Sequence, residues 1–535
     1  MMLINPARAT LRYGISTAAL LTAVAAPAYA QSFAPTPVTT AAGPSVTPQE
    51  GAPQEAGSPQ AAPTTEPRKE IVVTGTLFRD SNTNLISPAT VLTSETLQRG
   101  NFTTAEKAIR SVSADGAGSI STGFRTGLAA GGAAVSLRGL GVSSTVVLID
   151  GLRSANFPLN DDGHNAYVDL NSIPLSVVDH IEVLTDGASS TYGADAIGGV
   201  VNLISRKNVR GIDGSVQAGT TAHGDGSHYR ATLTAGVGDY ETQGFNFYLN
   251  GEYASDGYIT NHSRGYPVNT LDLRRSGLLD NNRNDDSLTT ANPEAVVTRV
   301  SQSDLNIPLA GQVGAPATKQ YQLLNPNGCP RGTFTSTERD ARGIGCVHDL
   351  PDEYLVIQPR QQRYSTTGRL TARLGDHLEM FASGSYSHDD LTIPSTPTPI
   401  RQMQPFGGSP DLASANPGIV LPVYVCSTGV NCATAPDRRL NPNNPYAAAY
   451  ANAPAAGAAR IYYLFGDIPV STERYVDVFR ATAGISGTLG EGFSFRLNGV
   501  YARDDFSITQ HGFLQIGGLL QAINTGAYDF VHPEQ

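Results

Sequence analysis

The sequence predicts an exported protein in which a small α+β domain is followed by an antiparallel transmembrane β-barrel. Three observations predict this architecture. The chain begins with an export signal, residues 138–206 hold short apolar strands set among glycines, and segments of period-two alternation follow from Gly211 onward. Their order places the small domain between the export signal and the barrel.

The first 30 residues have the pattern of a signal peptide. Arg8 and Arg12 are basic, residues 15–26 are apolar and alanine-rich, and residues 28–30 read Ala-Tyr-Ala, the A-x-A cleavage pattern. A membrane anchor is the alternative, but the apolar run is too short to span roughly 30 Å of hydrocarbon. No later stretch reaches about 18 apolar residues, so no transmembrane helix is expected.

Residues 31–69 form a linker rich in Pro, Ala and Thr with few aliphatic side chains. Such a segment buries too little surface to offset its ordering entropy, and we expect it to be disordered. The formal charge of −11 argues against a nucleic-acid partner, because phosphate contacts need a basic surface.

A short β-prone segment follows the linker directly at residues 70–76, with the sequence Glu-Ile-Val-Val-Thr-Gly-Thr. A strand with unpaired N–H and C=O groups is a template for pairing with the sheet edge of a partner. It could equally be the first strand of the small domain, and the residues alone leave both interpretations open.

The small domain is expected over residues 77–208. Four apolar runs predict its strands, and three polar-capped segments predict short helices. The strands are expected at Pro88–Thr93, Val146–Ile149, Ile181–Leu184 and Val200–Ile204. The helices are expected at Ser94–Leu97, at Thr104–Ile109 and from Pro174 onward, with Ser94 and either Thr103 or Thr104 as N-caps. Asp150 and Gly151 end a strand in a tight turn, which is the expected role of Asp150.

The alternating region covers residues 209–535. Apolar side chains on one face alternate with Arg, Thr, Ser and Asn on the other in about seven segments of roughly 9–15 residues. Examples are Tyr229–Val237, Phe245–Tyr253, Arg363–Leu374 and Phe493–Tyr501. Strands of soluble sandwiches are usually about 5–6 residues long, so the length favours a transmembrane barrel. Tiny turns after Leu374 and Leu489 contrast with long connections at 255–360 and 389–472, as in outer-membrane barrels.

All four cysteines, Cys329, Cys346, Cys426 and Cys432, lie in these long connections. An even number in an oxidising compartment favours disulfides. Pairing of Cys329 with Cys346 and of Cys426 with Cys432 is the simplest of three connectivities. A metal site is the weaker alternative, because no C-x-x-C is present and His348 is the only histidine nearby.

These residues resemble the TonB-dependent outer-membrane receptors. The segment 70–76 looks like the TonB box, in which Glu70, Ile71, Val72, Val73, Thr74 and Gly75 would bind TonB. Three further motifs look like the signatures of the plug domain, in the expected order. Their residues are Arg138, Gly139 and Gly141, then Asp150 and Gly151, then Gly193, Ala194, Gly198, Gly199 and Asn202.

The resemblance implies a plug inside a 22-stranded barrel in the outer membrane of a Gram-negative bacterium. It implies that TonB, driven by the proton gradient through its motor proteins, pairs with the TonB box, and that a scarce small-molecule ligand then passes the plug. A 22-stranded barrel needs more chain than follows residue 210, so we expect only the N-terminal part of a receptor here.

The sequence lacks the G-x-S-x-G, H-E-x-x-H and G-x-x-x-x-G-K-[ST] motifs, so no catalytic residue, cofactor or resident metal is expected. Asp161, Asp162 and Asp169 could hold calcium, but a solvated loop is the simpler interpretation. Two alternative functions remain open: a passive porin, which needs neither tether nor plug, and a secreted β-rich enzyme or adhesin. The ligand class cannot be read from the residues, although Arg125, Arg138 and Arg153 could meet an anionic one.

Overall fold

A computed structural model describes residues 89–112, 114–121, 129–159, 166–185, 188–281, 296–300, 322–325, 327–336, 343–375, 377–400, 419–490 and 493–532. The expected signal peptide, linker and TonB box lie outside these residues, as do Arg125, Asp161 and Asp162. Within the described ranges, no helix is long and apolar enough to cross a membrane.

The plug is a five-stranded sheet with short helices. Its elements are β1 (Ala89–Leu92), α1 (Ser94–Arg99), α2 (Ala105–Arg110), β2 (Thr145–Ile149), β3 (Leu152–Arg153), β4 (Val178–Leu184), α3 (Ser189–Tyr192) and β5 (Gly199–Ser205). The strand order is β1-β4-β5-β2-β3, and β2 and β5 form its parallel pair. The α+β prediction is therefore confirmed for this part of the chain.

The core of the plug lies between the sheet and its two first helices. Ile109, Ile181, Val201 and Leu203 are fully buried there, together with smaller side chains of α2. Each large aliphatic side chain removed from water stabilises the fold by roughly 1.5–3 kcal/mol before entropy is counted. Strand β5 is buried on both faces from Gly199 to Leu203, which is why its residues are apolar except for Asn202.

Two local predictions in the plug are wrong. The N-cap of α1 is Thr93, whose hydroxyl accepts from the N–H of Thr96, and not Ser94, which is the first helical residue. Thr104 caps α2, as one of the two predicted candidates. Pro174 does not open an α-helix, because only a 3₁₀ turn forms at Leu175–Val177. The β-branched Val178 then begins β4, where pairing with β5 outweighs local helix formation.

The second sheet, which we call the wall, is antiparallel throughout and has seven strands within the described residues. They are β6 (Gly211–Gly219), β7 (His228–Val237), β8 (Phe245–Asp256), β15 (Arg360–Leu374), β16 (Leu378–Ser395), β22 (Val470–Leu489) and β23 (Phe493–His511). Helix α4 (Tyr240–Gln243) lies in the turn between β7 and β8. The number agrees with the alternation, and the antiparallel arrangement is confirmed.

The two faces of the wall are the reverse of those in a soluble sheet. Apolar side chains point outward and stay exposed: Leu233 by 59% and Leu497 by 69%. Polar side chains on the other face are buried, among them Asn250 and Thr371, each 1% exposed. The plug covers this polar face, since several plug residues bond to it directly.

The strands of the wall are longer than predicted, and one connection is correspondingly shorter. Strand β16 continues to Ser395, whereas the predicted connection began at residue 389. Its outward face turns polar at His388 and Asp390, so the amphipathic pattern ends before the hydrogen-bonded ladder does. The ladder with β22 runs on to the pair Ser395 and Val470.

The long connections contain further short elements. They are β9 (Ile259–Thr260), β10 (Val296–Val300), β11 (Gln322–Leu323), β12 (Thr333–Ser336), β13 (Gly343–Cys346), α5 (Leu350–Tyr354), β14 (Val356–Gln358), β17 (Pro399–Ile400), β18 (Ile419–Leu421), β19 (Tyr424–Val425), β20 (Arg439–Leu440), β21 (Ala458–Leu464) and α6 (Ile516–Thr525).

Residues 419–465 and 516–530 form a folded unit, the loop unit, with its own apolar core. Tyr463, Phe465 and Phe530 are at most 2% exposed and pack edge to face, with Tyr463 and Phe530 ring centroids 5.1 Å apart. The buried amides of Asn443 and Asn444 donate to backbone carbonyls from three segments of the unit. A polar, Asn-Pro-rich connection therefore has a stable core.

Candidate functional site: the contact between plug and wall

The Asp150-Gly151 turn lies at the centre of the contact between plug and wall. Ile149 at the end of β2 pairs with Leu152 at the start of β3, so Asp150 and Gly151 are the two residues of the connecting turn. Both have positive φ, 54° for Asp150 and 78° for Gly151, as the tightest hairpin turn requires. Asp150 Oδ1 accepts a hydrogen bond of 2.8 Å from the N–H of Ser205 at the end of β5. The turn is thus fixed to the neighbouring strand.

Asn202 links this turn to the buried acid of β4. Its Oδ1 accepts from the N–H of Gly151 at 2.9 Å, and its Nδ2 donates to Glu182 Oε2 at 3.2 Å. Asn202 and Glu182 are 2% and 0% exposed. Because burial strengthens polar interactions, this pair of bonds orients the turn rigidly.

The second and third signature motifs contact one another through Arg153. Its guanidinium donates to Asp195 Oδ2 at 2.9 Å and to the carbonyl of Tyr192 at 2.6 Å. Gly193 and Ala194 lie in this segment, where Gly193 is the N-cap and Ala194 the first residue of the 3₁₀ turn that leads to β5. Arg153 therefore has partners within the plug, which lessens its availability for an anionic ligand.

The paired glycines of the third motif allow the backbone to approach its neighbours closely. Gly199 has φ of 141°, and a Cβ placed there would lie 2.3 Å from the carbonyl oxygen of Leu184. A Cβ at Gly198 would lie 2.9 Å from the carbonyl oxygen of Ser144. Arg138, Gly139 and Gly141 form the turn that precedes β2, and Arg138 reaches the carbonyl of Thr185 at 3.5 Å. The ten signature residues thus surround β2 and β5.

Two arginines of the wall reach the central turn. Arg369 Nη1 on β15 donates to Asp150 Oδ2 at 2.6 Å, and the two side chains are only 5% and 12% exposed. Arg480 Nη2 on β22 donates to the carbonyl oxygen of Ile149 at 3.0 Å. The guanidinium of Arg369 also lies 5.0 Å from the ring centroid of Phe381. Asp150 is therefore both a turn residue and the plug's half of a shielded ion pair with the wall.

Two more wall arginines hold the plug nearer to the long loops. Arg363 Nη1 donates to Asn171 Oδ1 at 2.8 Å, and Arg474 Nη1 donates to the carbonyl oxygen of Ala130 at 2.5 Å. On the neighbouring strand β8, Glu252 Oε2 accepts a hydrogen bond of 2.6 Å from Ser176 of the plug. The contact combines these hydrogen bonds with small apolar clusters, such as Phe157 and Tyr167 of the plug against Val476 and Val478 of the wall.

Burial and hydrogen bonding shift two plug groups. Burial raises the pKa of Asp169 to about 6, although its carboxylate accepts from the N–H groups of Asn171 and Ala133. Hydrogen bonds to Asp179 and then Glu182 raise the pKa of His180 to about 9. Asp169 therefore serves the backbone of two loops, which is a structural role. In the described part of the chain, no cluster of three or more metal-ligating side chains occurs.

The cysteines are joined as Cys329–Cys346 and Cys426–Cys432, with Cα atoms 5.2 Å apart in each pair. The first bridge lies beside the β12–β13 hairpin, which ends at Cys346. The second closes a tight loop of the loop unit near α6. Both belong to the long connections and are distant in sequence from the plug.

The wall arginines are the functional residues that the sequence reasoning did not single out. Their signal is present, because Arg363 and Arg369 lie on the polar face of a strand whose other face is apolar. An arginine on the inner face of such a strand has to find a partner in the interior. The partners lie 192 residues away for Arg363 and 219 for Arg369, a separation that spacing cannot bridge.

Comparison with protein families identifies this arrangement. Residues 81–200 match the family model described as the TonB-dependent receptor plug domain. This part of the chain is similar to the plug domain of TonB-dependent receptors. The matched range begins before β1 and ends within β5, and so it includes every signature residue except Asn202.

The chain is also similar to solved structures at low identity. A mutant of the ferric enterobactin receptor PfeA from Pseudomonas aeruginosa is 14% identical, with a TM-score of 0.35 over 78% of this chain and 49% of that one. The siderophore receptor PiuA from Acinetobacter baumannii is 14% identical, with a TM-score of 0.32 over 79% and 46%. The chain spans about half the length of these solved receptors.

Proposed function

We propose that this receptor acts in the outer membrane of a Gram-negative bacterium and takes up a scarce nutrient with energy that TonB delivers from the proton gradient. The observation that carries the proposal is the reversed wall: its apolar side chains face outward and its polar side chains bind a TonB-dependent plug. Water disfavours such an outward face, whereas lipid stabilises it. Outer-membrane lipid is therefore the proposed surroundings of the wall.

The outward face has the dimensions of a membrane band. Its apolar stretch covers residues 364–374 on β15, 479–489 on β22 and 493–501 on β23, which is 9–11 residues on each strand. A tilted transmembrane strand needs about that many. Tyr253 pairs directly with Tyr364, and Tyr386 pairs with Phe479, so aromatic rings mark the end of the band on the side of the long loops. Such girdles are typical of outer-membrane barrels.

Polar groups begin immediately beyond that aromatic row. His388 Nδ1 and Tyr386 Oη both bond to Asp477 Oδ1, at 2.8 and 2.6 Å. Arg503 and Asp505 form an exposed ion pair on the neighbouring strand. We place the outer surface of the membrane here, the long loops and both disulfides outside the cell, and the short turns after Leu374 and Leu489 in the periplasm.

In this proposal residues 70–76 are the TonB box, bound by strand addition to TonB, and residues 31–69 are the tether that lets it reach across the periplasm. Residues 1–30 would be removed on export, residues 77–208 form the plug, and the region from 209 contributes barrel strands. The nutrient class we favour is iron bound to a siderophore. The names of the similar solved receptors support this choice, and their identities of 11–14% leave it a proposal.

The experiment that tests energised uptake changes one backbone donor. Val72→Pro removes an N–H group that strand addition needs and fixes φ. We expect peptide 67–78 carrying this change to lose at least tenfold of its affinity for the periplasmic domain of TonB, measured by calorimetry. In cells, uptake of radioactive iron supplied as ferric enterobactin should fall to the level seen after collapse of the proton gradient.

The matched control is Thr40→Pro, a second proline in the expected tether, where no strand is expected. It lies outside peptide 67–78 and should leave uptake in cells unchanged. Uptake that survives Val72→Pro and collapse of the gradient would instead favour the passive porin. Binding of TonB without uptake of iron would retain the energised receptor and reject the proposed ligand.

A further inference from the structure

We propose that a small inorganic anion binds between the central turn of the plug and the wall. The cavity at this place has a volume of about 40 Å³, counted as the space that the centre of a water molecule can occupy. A single water needs roughly 10–15 Å³ by that measure, so one small anion with a water molecule can fit. Residues from both sides line the cavity, including Ile149 and Val177 of the plug and Tyr248, Thr367, Arg369 and Arg480 of the wall.

Three buried polar atoms of the lining have no hydrogen-bond partner among the described residues. They are Tyr248 Oη, Thr367 Oγ1 and Arg480 Nε. Their side chains belong to residues that are 1%, 8% and 7% exposed, so bulk water does not reach them freely. Buried polar groups of native proteins are almost always bonded, and three such groups in one cavity point to a bound species.

The register of the wall brings these groups together. Thr367 pairs with Ser385, and Ser385 pairs with Arg480, so the three form one row across β15, β16 and β22. Tyr248 pairs with Arg369 in the adjacent row. Each directly opposed pair is about 4.5–5.5 Å apart, so Thr367 and Arg480 lie two such steps from each other, and the long side chains of Tyr248 and Arg480 reach the cavity that all three line.

The charges of the site select an anion. Arg369 is paired with Asp150, whereas Arg480 bonds to the carbonyl of Ile149 and has no ion pair with a carboxylate among the described residues. The lining of the cavity holds both guanidinium groups and no carboxylate, so the cavity is positively charged on the side of Arg480. An arginine Nε–H can only donate, and both hydroxyl groups can donate as well. A halide or oxyanion accepts all three bonds and neutralises the charge, which water does not.

An anion in this position would lie beside the Asp150–Arg369 ion pair and touch strands β8, β15 and β22 at once. It would therefore stabilise the docked plug. This inference concerns the plug–wall contact itself and holds whatever the transported nutrient and its source of energy.

The test uses the full chain in detergent micelles, with bromide as the probe. At constant ionic strength, bromide replaces gluconate, which is too large for the cavity. We expect the unfolding temperature measured by circular dichroism to rise with bromide and to saturate. Crystals grown in bromide should show an anomalous peak in the cavity within hydrogen-bond distance of Arg480 Nε. The absence of the peak or of the stabilisation overturns the proposal and assigns the cavity to water.

Conservative variants separate binding from general damage to the fold. Tyr248→Phe and Thr367→Val each remove one hydrogen-bond donor. Each should raise the bromide concentration at half-maximal stabilisation, the midpoint, by roughly tenfold, because the lost hydrogen bond has a charged acceptor. The control Arg503→Gln removes an exposed guanidinium on the outward face and should leave the midpoint unchanged. An unchanged midpoint in both donor variants, or an equal loss in the control, contradicts the site.

Discussion

The two main sheets of this protein differ in which side chains they bury: the plug buries apolar side chains, and the wall buries polar ones. In the plug, β5 buries Val200, Val201 and Leu203 completely. In the wall, β7 exposes Leu233 by 59% and buries its neighbour Thr234 to 3%. Both strands contain residues that favour β-structure, yet β5 places its apolar side chains inward and β7 places them outward.

The difference teaches that surroundings, and not strand propensity, decide which face of a sheet is inside. The plug is small and must exclude water from its own core, so its sheet buries mainly apolar side chains, with Glu182 and Asn202 as bonded exceptions. The wall in the proposed membrane setting has a solvent that favours apolar side chains, and its interior holds the polar surface of the plug. The plug–wall contact therefore combines buried arginines of the wall with small apolar clusters.

The largest expected effect follows from breaking the shielded ion pair. Arg369→Met leaves the carboxylate of Asp150 buried beside the wall without its counter-charge, and we expect a loss of about 3–5 kcal/mol in plug docking. Urea unfolding in micelles, followed by hydrogen exchange of plug amides, measures this loss. The double variant with Asp150→Asn should recover part of it.

The matched control for that prediction is Arg503→Met, which breaks an ion pair whose side chains are 60% and 44% exposed. Exposed pairs contribute at most about 1 kcal/mol. Equal losses for the two methionine variants would show that shielding by the plug adds nothing to the pair.

The next effect compares the two apolar environments directly. Ile181→Ala in the plug leaves a cavity at a fully buried site and should cost roughly 2–5 kcal/mol of plug stability. Leu233→Ala on the wall leaves no closed cavity, because the side chain is mostly exposed, and should cost far less. Hydrogen exchange of the plug and wall amides measures both. A larger loss for Leu233→Ala would contradict the assignment of inner and outer faces.

The proposed membrane setting of the wall predicts a third effect. Leu249 lies in the middle of the apolar band of β8 and is 54% exposed. Leu249→Arg should destabilise the chain in a lipid bilayer by roughly 2–4 kcal/mol, as at a bilayer midplane. Tyr253→Arg, four residues along the same strand and at the aromatic row, should cost at most about 1 kcal/mol. Equal costs at both positions would remove the depth dependence on which the membrane placement rests.

The sequence predicted the elements of both sheets better than the contact between them. The glycine-rich motifs, the Asp150-Gly151 turn and the alternation of the wall are local, and local patterns carry strand and turn formation. The partners of Arg369 and Arg480 lie 219 and 331 residues away along the chain. Such pairs depend on how two sheets dock, which no spacing in one sequence specifies.

The core of the loop unit is a second feature that the sequence did not predict. Its sequence is rich in Pro, Asn and Gly and predicted an irregular connection, yet it buries Tyr463, Phe465 and Phe530. These aromatic residues come from two connections separated by two wall strands. Their meeting depends on the register of β22 with β23, so the core became visible only in the fold.

The smallest expected effect concerns pH and also separates plug from wall. His180 Nδ1 lies 2.8 Å from Asp179 Oδ2, and Nε2 lies 3.4 Å from Glu182 Oε1. Hydrogen bonds to these acids raise the pKa of His180 from 6.5 to about 9 in the folded plug. The folded plug thus holds the proton more tightly than the unfolded chain. The stabilisation is complete below pH about 6.5 and is lost as the pH rises through about 9. We expect the protection factors of the β4 and β5 amides, which are corrected for the intrinsic exchange rate at each pH, to fall over this interval in the native chain and to change less in His180→Gln. The protection factors of the wall strands should stay constant in both. An identical pH profile for the native chain and the variant would show that this histidine does not couple protonation to plug stability.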